Sequence, residues 1–283
     1  MPRRLDNRVV VVTGAASGLG LATARALASK GASLALIDNN AVGVAAAAES
    51  IGGDAIGIVA DISNTDEIRA AIQQVANHFG AIDIVMAGAA ITAWGPVLLI
   101  DPAQWERAVE INVLGTWRTV HAVLPHLVTS KGYLLIISSG FAAAPGPALS
   151  AYALSKAAVE SLARSVRIEV AHHGVDVGVA YYTFLDTPMV QTMEGNAAAM
   201  RGRAAMPAPI RRTYPLAKAV DATVRGIEGR EQRIMYPKFL RWTLLFRGAF
   251  GPWSEQASRK AMPDVERLAK EQQSGPASEQ RHS

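Results

Sequence analysis

The segment Thr13-Gly14-Ala-Ala-Ser17-Gly18-Leu19-Gly20 decides the fold of this chain, because it joins an apolar run to a helical one. The preceding residues, Val9–Thr13, are β-branched and predict a buried strand, whereas the Ala-rich stretch 19–30 predicts a helix. Between a strand and a helix, the three glycines permit a tight turn, a close approach of the backbone to a pyrophosphate, and close helix packing. The helix N-terminus offers free N–H groups to an anion. The segment therefore predicts a phosphate-binding turn, the alternative being a glycine-rich turn without a ligand.

The same alternation of short apolar runs and longer Ala-rich stretches continues along most of the chain. Strands are predicted at Val9–Thr13, Ser33–Asp38, 55–60, 82–87, 132–138, 175–180 and Arg233–Tyr236. Helices are predicted at 19–30, 40–51, Thr65–Phe79, 102–128, 151–172 and Leu216–Gly229. Strands that are apolar throughout are typical of a parallel sheet buried on both faces. The pattern predicts an α/β fold of right-handed β–α–β units with a doubly wound parallel sheet.

Composition excludes several classes of protein. The chain has 283 residues, of which 50% are hydrophobic, and no cysteine, so disulfides and cysteine-based metal sites are excluded. The N-terminus leads directly into the first strand without a signal-peptide core, and no run of apolar residues is long enough to span a bilayer. We therefore expect a cytoplasmic location. The net charge is +4, but no basic stripe with a reading element is present, so no nucleic-acid partner is expected.

The chain divides into three parts. Residues 1–236 are predicted to form one cofactor-binding domain, in which 187–215 is the lid over the site. Residues 237–273 form an aromatic and basic extension, including one more charged helix, and the polar residues 274–283 are predicted to be disordered. The amphipathic stretch 238–253 could contact an anionic membrane surface peripherally, or pack over the cleft or on a neighbouring subunit.

Asp38 closes the second predicted strand, eighteen residues after Gly20. A carboxylate at this place can accept hydrogen bonds from both hydroxyls of a ribose, and it repels a 2′-phosphate. Neither Ser17 nor Asn39 supplies a cation for that phosphate, so the sequence favours NAD over NADP. The alternative is that Asp38 is a helix N-cap. Asp61, after the third strand, could accept a hydrogen bond from the adenine amino group or cap a loop.

Tyr152-Ala-Leu-Ser-Lys156 carries the predicted chemistry. Residues four apart on a helix share a face, so the phenol and the ammonium are neighbours. We expect the ammonium to lower the pKa of the phenol, which could then exchange a proton with an alcohol. The pair alone is a weak signal, because surface helices often place Tyr and Lys four apart. Ser139, thirteen residues upstream, and the glycine turn make it more specific.

Taken together, the glycine turn, the two aspartates, Asn112, Ser139 and the Tyr–Lys pair resemble the classical short-chain dehydrogenase/reductase family in order and spacing. The resemblance extends from Val9 to about Tyr236. It implies a Rossmann-type sheet of about seven strands with helices on both faces. It also implies an NAD-dependent oxidoreductase that forms a homodimer or homotetramer, commonly through the helices at 102–128 and 151–172.

The resemblance also implies a role for each matched residue. Tyr152 is the general acid/base, Ser139 hydrogen-bonds the substrate oxygen, and Lys156 binds the nicotinamide ribose. Asn112 holds a water in the proton relay, or is a buried structural amide. Thr187 contacts the nicotinamide carboxamide, or is an N-cap. The implied cofactor contacts are Gly14, Ser17, Gly18, Leu19, Gly20, Asp38, Asp61, Ile62, Gly88, Tyr152, Lys156, Leu185 and Thr187.

Two segments depart from the family pattern. Ala87-Gly88-Ala89-Ala90 stands where the family has Asn-Asn-Ala-Gly, and its small residues leave room for the cofactor. Tyr182-Thr183 stands where the family has Pro-Gly, and it is expected to add bulk or a hydroxyl to the pocket.

The substrate pocket is predicted to be apolar. The lid carries Met189, Met193, Met200 and Met206, and the site includes the aromatic residues Trp94, Phe141, Tyr182 and Phe184. A lipophilic secondary alcohol or its ketone fits best. The methionines could instead be ordinary helix core, and the lid arginines could attract an anionic substrate. Other functions to be weighed are a cofactor-binding sensor without turnover and a nucleotide-sugar epimerase or dehydratase, for which 185–236 is short.

Overall fold

The computed structural model describes residues 4–274, apart from the side chains of residues 250–254 and 257. In this part of the chain, seven strands form one sheet in the order β3-β2-β1-β4-β5-β6-β7, and all neighbouring strands are parallel. The strands are β1 Val9–Thr13, β2 Ser33–Asp38, β3 Ile56–Val59, β4 Ile84–Ala87, β5 Tyr133–Ile137, β6 Asp176–Tyr182 and β7 Arg233–Tyr236. The predicted doubly wound Rossmann-type sheet is confirmed.

Helices cover both faces of this sheet. They are α1 Gly18–Ala28, α2 Ala41–Ile51, α3 Thr65–Phe79, α4 Pro102–Val109, α5 Thr116–Ser130, α6 Ser150–Val170, α7 Pro188–Glu194, α8 Ala197–Ala204, α9 Ala208–Arg211, α10 Leu216–Gly229, α11 Leu240–Leu245, α12 Arg247–Arg259 and α13 Met262–Ser274. Side chains alternate between the faces along a strand. Val9 and Val11 therefore join the core under α3, α5 and α6, while Val10 and Val12 join the core under α1, α2 and α10.

The predicted helix at 102–128 is divided in the structure. A π-helical turn, Glu110–Gly115, separates α4 from α5, and it includes the predicted site residue Asn112. Gly115 packs so closely that a Cβ there would lie 2.7 Å from Ile62 Cγ1. Such turns are often found at functional sites. β6 continues two residues past its predicted end, because Tyr181 and Tyr182 pair with β7.

The C-terminal extension folds back onto segment 187–215. α13 packs against α8 around the buried Val265, and Arg201 forms an ion pair of 2.8 Å with Asp264. The predicted helix in the extension is thus observed. Ser274, the first residue of the predicted disordered tail, ends α13, and residues 275–283 lie outside the described residues.

The first part of the extension presents large apolar side chains to solvent. Phe239 and Leu240 pack against the core, whereas Trp242, Leu245 and Phe246 are 58%, 63% and 56% exposed. The ring of Trp242 stacks on that of Phe246. No helix within residues 4–274 combines the length and the apolar character needed to cross a bilayer.

Candidate active site

The carboxyl ends of the parallel strands meet at one edge of the sheet, where ligands bind in open α/β folds. A cavity of about 320 Å³ lies along this edge. Most predicted site residues line it, namely Gly14, Ser17, Leu19, Gly20, Asp38, Gly88, Ser139, Tyr152, Lys156, Leu185 and Thr187. The other four, Gly18, Asp61, Ile62 and Asn112, lie outside its lining.

The glycine turn leaves no space for side chains. Gly14 has φ +72°, and a Cβ there would lie 2.7 Å from Ala89 Cα. A Cβ on Gly20 would overlap the carbonyl oxygen of Gly14, so α1 packs directly on the turn. Gly18 has φ +55° and lies beside Thr187. This bare backbone before a helix N-terminus fits a pyrophosphate.

Asp38 lies at the carboxyl end of β2, next to this turn. Its carboxylate accepts hydrogen bonds from the N–H groups of Ala16 and Asn40, both at 3.0 Å. Asn40, rather than Asp38, is the N-cap of α2. Asp38 also lines an adjoining cavity of about 110 Å³, together with Asp61 and Ile62. Asp38 therefore lies at the boundary between the two cavities.

Asp61 is already held by its neighbours. Its carboxylate accepts hydrogen bonds from the N–H and the hydroxyl of Ser63 and pairs with Arg107 at 2.8 Å. Partial burial raises the pKa of Asp61, but these hydrogen bonds and the charge of Arg107 hold that pKa below its usual value. Asp61 therefore acts as a loop cap, one of the two roles that the sequence left open, and its contact with adenine stays a prediction.

The predicted acid/base group lies at the start of α6. Lys156 is buried, its Nζ lies 5.5 Å from the centre of the Tyr152 ring, and it donates a hydrogen bond of 3.0 Å to the carbonyl of Ile137. The Ser139 hydroxyl donates to the carbonyl of Tyr182 at 3.1 Å and is hydrogen-bonded with the phenol of Tyr152. The structure thus brings Ser139, Tyr152 and Lys156 together in one cavity.

The pKa values in the ligand-free chain differ from the expectation. Burial raises the pKa of Tyr152 to about 12, although the hydrogen bond with Ser139 opposes the rise. Burial also lowers the pKa of Lys156 to about 8. The predicted lowering of the Tyr152 pKa by Lys156 is therefore wrong for this state. The Lys156 ammonium is directed to the Ile137 carbonyl, and burial is the largest influence on the pKa of the phenol.

The lowered pKa of Lys156 predicts a pH-dependent stability. In the unfolded chain Lys156 stays protonated up to about pH 10.5, whereas in the fold it loses its proton near pH 8. The destabilising effect of burying the ammonium is therefore present below pH 8 and is relieved as the pH rises to 10.5. Relative to Lys156→Met, the wild type should gain up to about 3 kcal/mol of unfolding free energy over this range.

Urea unfolding at pH 7 and pH 10, without cofactor, measures this effect. Lys218→Met is the matched control, because Lys218 is exposed on α10, and its difference from the wild type should stay constant. A wild-type minus Lys156→Met difference that does not change with pH would contradict the lowered pKa.

Asn112 lies in the π-helical turn, and its amide is fully engaged. It donates hydrogen bonds to the carbonyl of Ile91 at 2.9 Å and to the hydroxyl of Ser155 at 3.1 Å, and it accepts one from the N–H of Ile91. Ser155 in turn donates to the carbonyl of Tyr152. Asn112 therefore joins the loop after β4 to α6 as a buried structural amide. Its role in a proton relay stays a prediction.

The two departures from the family pattern have different consequences. The Tyr182 ring packs in the core under α10, where its hydroxyl shares a hydrogen bond with Thr223. The Thr183 hydroxyl donates to the carbonyl of Ile210. Both residues line the cavity and so add bulk to it, as one of the two expected effects, while their hydroxyls are engaged in these hydrogen bonds.

The sequence analysis missed two residues that support the site. The Thr13 hydroxyl accepts hydrogen bonds from the N–H groups of Gly88 and Ala89, and so joins β1 to the loop after β4. Ser155 connects Asn112 with Tyr152. A hydroxyl at the end of a strand, or inside the Tyr–Lys motif, is the only signal for them in the sequence.

Thr187, a predicted site residue, is the N-cap of α7, and its hydroxyl donates a hydrogen bond to the carbonyl of Leu185.

The far end of the cavity is apolar. It is lined by Trp94, Phe141, Leu149, Phe184, Met189 and Val190. Of the four methionines predicted to face the substrate, Met193 and Met206 are instead buried in the cluster behind these residues, and Met200 is partly exposed. The alternative of ordinary helix core therefore holds for Met193, whereas Met206 is buried in the loop between α8 and α9. Only Met189 of the four lines this cavity.

The glycine turn, Asp38 and the Tyr–Lys pair thus lie in one cavity at the carboxyl edge of a Rossmann-type sheet, next to an apolar pocket. The model of a family described as short chain dehydrogenase matches residues 8–197. The chain belongs to the short-chain dehydrogenase/reductase family.

Several characterised proteins are similar to this chain. The cis-4-hydroxycyclohexanecarboxylate dehydrogenase of Sinomonas cyclohexanicum is 34% identical over 82% of this chain and 89% of its own length. The (-)-trans-carveol dehydrogenase of Rhodococcus erythropolis is 32% identical over 66% of this chain and 74% of its own length. Among solved structures, the 3-ketoacyl-(acyl-carrier-protein) reductase of Brucella melitensis, complexed with NADH, is 25% identical with a TM-score of 0.73, covering 82% of this chain and 97% of that one.

Proposed function

We propose that this protein is an NAD-dependent dehydrogenase that interconverts a lipophilic secondary alcohol and its ketone. The observation that carries the proposal is one continuous cavity, which has the glycine turn and Asp38 at one end and Ser139, Tyr152 and Lys156 beside apolar side chains at the other. Residues 1–236 form the cofactor-binding domain in this proposal, and segment 187–215 is its lid.

The residues around the turn fit a dinucleotide, and the charge of Asp38 favours NAD over NADP. Its carboxylate would accept hydrogen bonds from the ribose and repel a 2′-phosphate. The similar Brucella reductase was solved with NADH, which supports this choice. Leu185, Thr187 and Gly88 also line this cavity. In the proposal Thr187 contacts the nicotinamide carboxamide, and Gly88, next to Gly14, leaves room for the cofactor. Bound NAD⁺ supplies the hydride acceptor and a positive charge near the phenol.

Tyr152 is proposed to take the hydroxyl proton of the alcohol as the C–H bond breaks, and to return it to the oxygen in the reverse direction. Ser139 is proposed to steady the substrate oxygen by turning its single hydroxyl proton to that oxygen from the Tyr182 carbonyl, its acceptor in the ligand-free chain. The proposal requires the Lys156 ammonium to turn from the Ile137 carbonyl to the phenol, where it would lower the pKa of Tyr152 from about 12 in the ligand-free chain. Positioned acid–base catalysis of this kind accelerates a reaction by about 10²–10⁴-fold.

Asn112 is proposed to hold a water in the proton relay. It also holds the start of α6 in place through its hydrogen bond to Ser155.

The apolar end of the cavity supports a cyclic or otherwise lipophilic alcohol. The names of two relatives, a hydroxycyclohexanecarboxylate dehydrogenase and a carveol dehydrogenase, agree with such a substrate.

The proposed function is tested by following NADH fluorescence while cyclic and long-chain secondary alcohols are screened with NAD⁺ and NADP⁺. We expect turnover of ring alcohols with NAD⁺. If no alcohol or ketone is turned over, the second candidate function, a cofactor-binding sensor without turnover, would be favoured. A nucleotide-sugar epimerase or dehydratase is the third candidate function.

We further propose a homodimer or homotetramer. Leu114, Trp117 and Leu154, on the helical segments that form subunit interfaces in the family, are 41%, 48% and 46% exposed. Large apolar side chains on neighbouring helices suit burial against a second copy of the chain. Light scattering should give a mass of two or four chains.

We propose a cytoplasmic location with peripheral membrane contact through 238–253. This stretch contains three basic residues and no acidic one, and Trp242, Leu245 and Phe246 are exposed on it.

The double variant Trp242→Ala/Phe246→Ala should no longer co-sediment with vesicles rich in phosphatidylserine, because the two aromatic side chains that would enter the membrane surface are removed. Ile168→Ala, which removes an exposed apolar side chain on α6, should bind as the wild type does. Equal sedimentation of the double variant and the wild type would contradict the contact.

A further inference from the structure

Segment 187–215 has a second cavity, which the proposed reaction does not use. Its volume is about 840 Å³. Three arginines, Arg203, Arg211 and Arg212, line it together with Tyr214 and a single carboxylate, that of Glu194. The lining therefore has an excess of positive charge.

Arg203 is the unusual member of this group, because it is only 8% exposed. Its Nε donates to the carbonyl of Arg211 at 2.8 Å and its Nη2 to the hydroxyl of Thr213. Within residues 4–274 it makes no ion pair with a carboxylate, and its Nη1 makes no hydrogen bond. A buried cation is costly unless it is paired, and Glu194 is the one carboxylate in this lining that interacts with Arg203. With three arginines and one carboxylate, the lining keeps a net positive charge that an anion would balance.

Arg203 also adjoins the substrate end of the active-site cavity. Its Cζ lies 4.3 Å from the centre of the Phe184 ring, which lines that cavity from the other side. Phe184 lies 5.3 Å from Phe141, and Phe141 lies 6.3 Å from Tyr152, measured between ring centres. A continuous series of aromatic contacts therefore connects the phenol of Tyr152 with the guanidinium of Arg203.

We propose that Arg203, Arg211 and Arg212 form an anion-binding site for a carboxylate or phosphate group. Guanidinium groups bind both through paired, charge-assisted hydrogen bonds. The anion is either the charged end of the substrate, with its apolar body against Phe184 and Phe141, or a free anion that binds beside the cavity. The first case rests on the proposed function, because it places an alcohol at Tyr152.

A binding experiment tests the site without turnover. Thermal unfolding is followed with saturating NAD⁺, which occupies the pyrophosphate turn, in sodium phosphate or in sodium chloride of equal ionic strength. At about ten times its Kd, phosphate should raise the Tm of the wild type by about 3 °C. Arg211→Gln/Arg212→Gln should lose this shift while Arg203 continues to hold the segment, and Arg225→Gln, an exposed arginine on α10, should keep it.

A kinetic arm identifies the source of the anion. The substrates are an aliphatic secondary alcohol with a terminal carboxylate, long enough to extend past Phe184, and the same alcohol with a terminal methyl group in place of the carboxylate. If the anion is part of the substrate, kcat/KM for the carboxylate should fall at least about tenfold in the double variant, with the uncharged alcohol unaffected. If the anion is free, only the phosphate shift is lost.

Either loss in Arg211→Gln/Arg212→Gln supports the site. A phosphate response and a carboxylate preference that both equal those of the wild type would overturn it. Failure of the proposed function is distinguishable, because the thermal shift does not depend on any reaction and the Arg225→Gln control reports on general charge effects.

Discussion

Tyr152→Phe is expected to lower kcat by about 10³–10⁴-fold while the Kd for NAD⁺ stays within about twofold of the wild type. The phenol is the group placed to exchange a proton with the substrate, and the ring without its hydroxyl keeps its contact with Phe141. The substitution creates no cavity. It removes a phenolic hydroxyl that stays protonated at neutral pH, because burial raises the pKa of Tyr152. Stability should therefore change little.

Steady-state kinetics with a cyclic alcohol and a fluorescence titration with NAD⁺ measure the two quantities separately. Tyr236→Phe is the matched control, because it removes the same oxygen from β7, outside the lining of the active-site cavity. Its kcat should equal that of the wild type. A Tyr152→Phe variant with a kcat within about threefold of the wild type would show that another group transfers the proton.

Asp38→Asn is expected to change the choice of cofactor. The wild type should prefer NAD⁺, because the carboxylate accepts ribose hydrogen bonds and repels a 2′-phosphate. Removing the charge should lower kcat/KM for NAD⁺ about tenfold and raise it for NADP⁺ about tenfold, a change of about a hundredfold in the ratio. The asparagine oxygen can still accept from the N–H of Ala16, so the turn should keep its shape.

Kinetics of both cofactors with one alcohol measure this ratio. Asp54→Asn removes an exposed carboxylate before β3 and should leave the ratio unchanged. A wild type that prefers NADP⁺, or an Asp38→Asn variant with an unchanged ratio, would contradict the role given to this carboxylate.

The sequence predicts the sheet and the main residues of the site because both depend on local patterns. The bounds of β1, β2, β7, α3 and α10 agree with the predictions, since apolar runs and turn residues mark those ends. The motifs also place Asp38, Ser139, Tyr152 and Lys156 in one cavity, because parallel strands carry their carboxyl ends to one edge.

Features that depend on packing between distant segments were not predictable. The π-helical turn at Glu110–Gly115 fits against Ile62, and the hydroxyl of Tyr182 turns to Thr223. The pKa of Tyr152 depends on how deeply the phenol is buried, which the spacing of Tyr and Lys does not reveal. The packing of α13 on α8 likewise joins residues more than sixty positions apart, such as Arg201 and Asp264.

The most direct measurement of the central claim uses a cyclic alcohol deuterated at the carbinol carbon. The protein is incubated with this alcohol and NAD⁺, and the reduced cofactor and the ketone are analysed by mass spectrometry. In the proposed reaction Tyr152 takes only the hydroxyl proton, and the carbinol deuterium goes to the cofactor. Each molecule of reduced cofactor should therefore carry one deuterium, and reduced cofactor and ketone should form in equal amounts. Reduced cofactor that carries hydrogen from water instead, or ketone formed without reduced cofactor, would contradict direct transfer from the alcohol at this site.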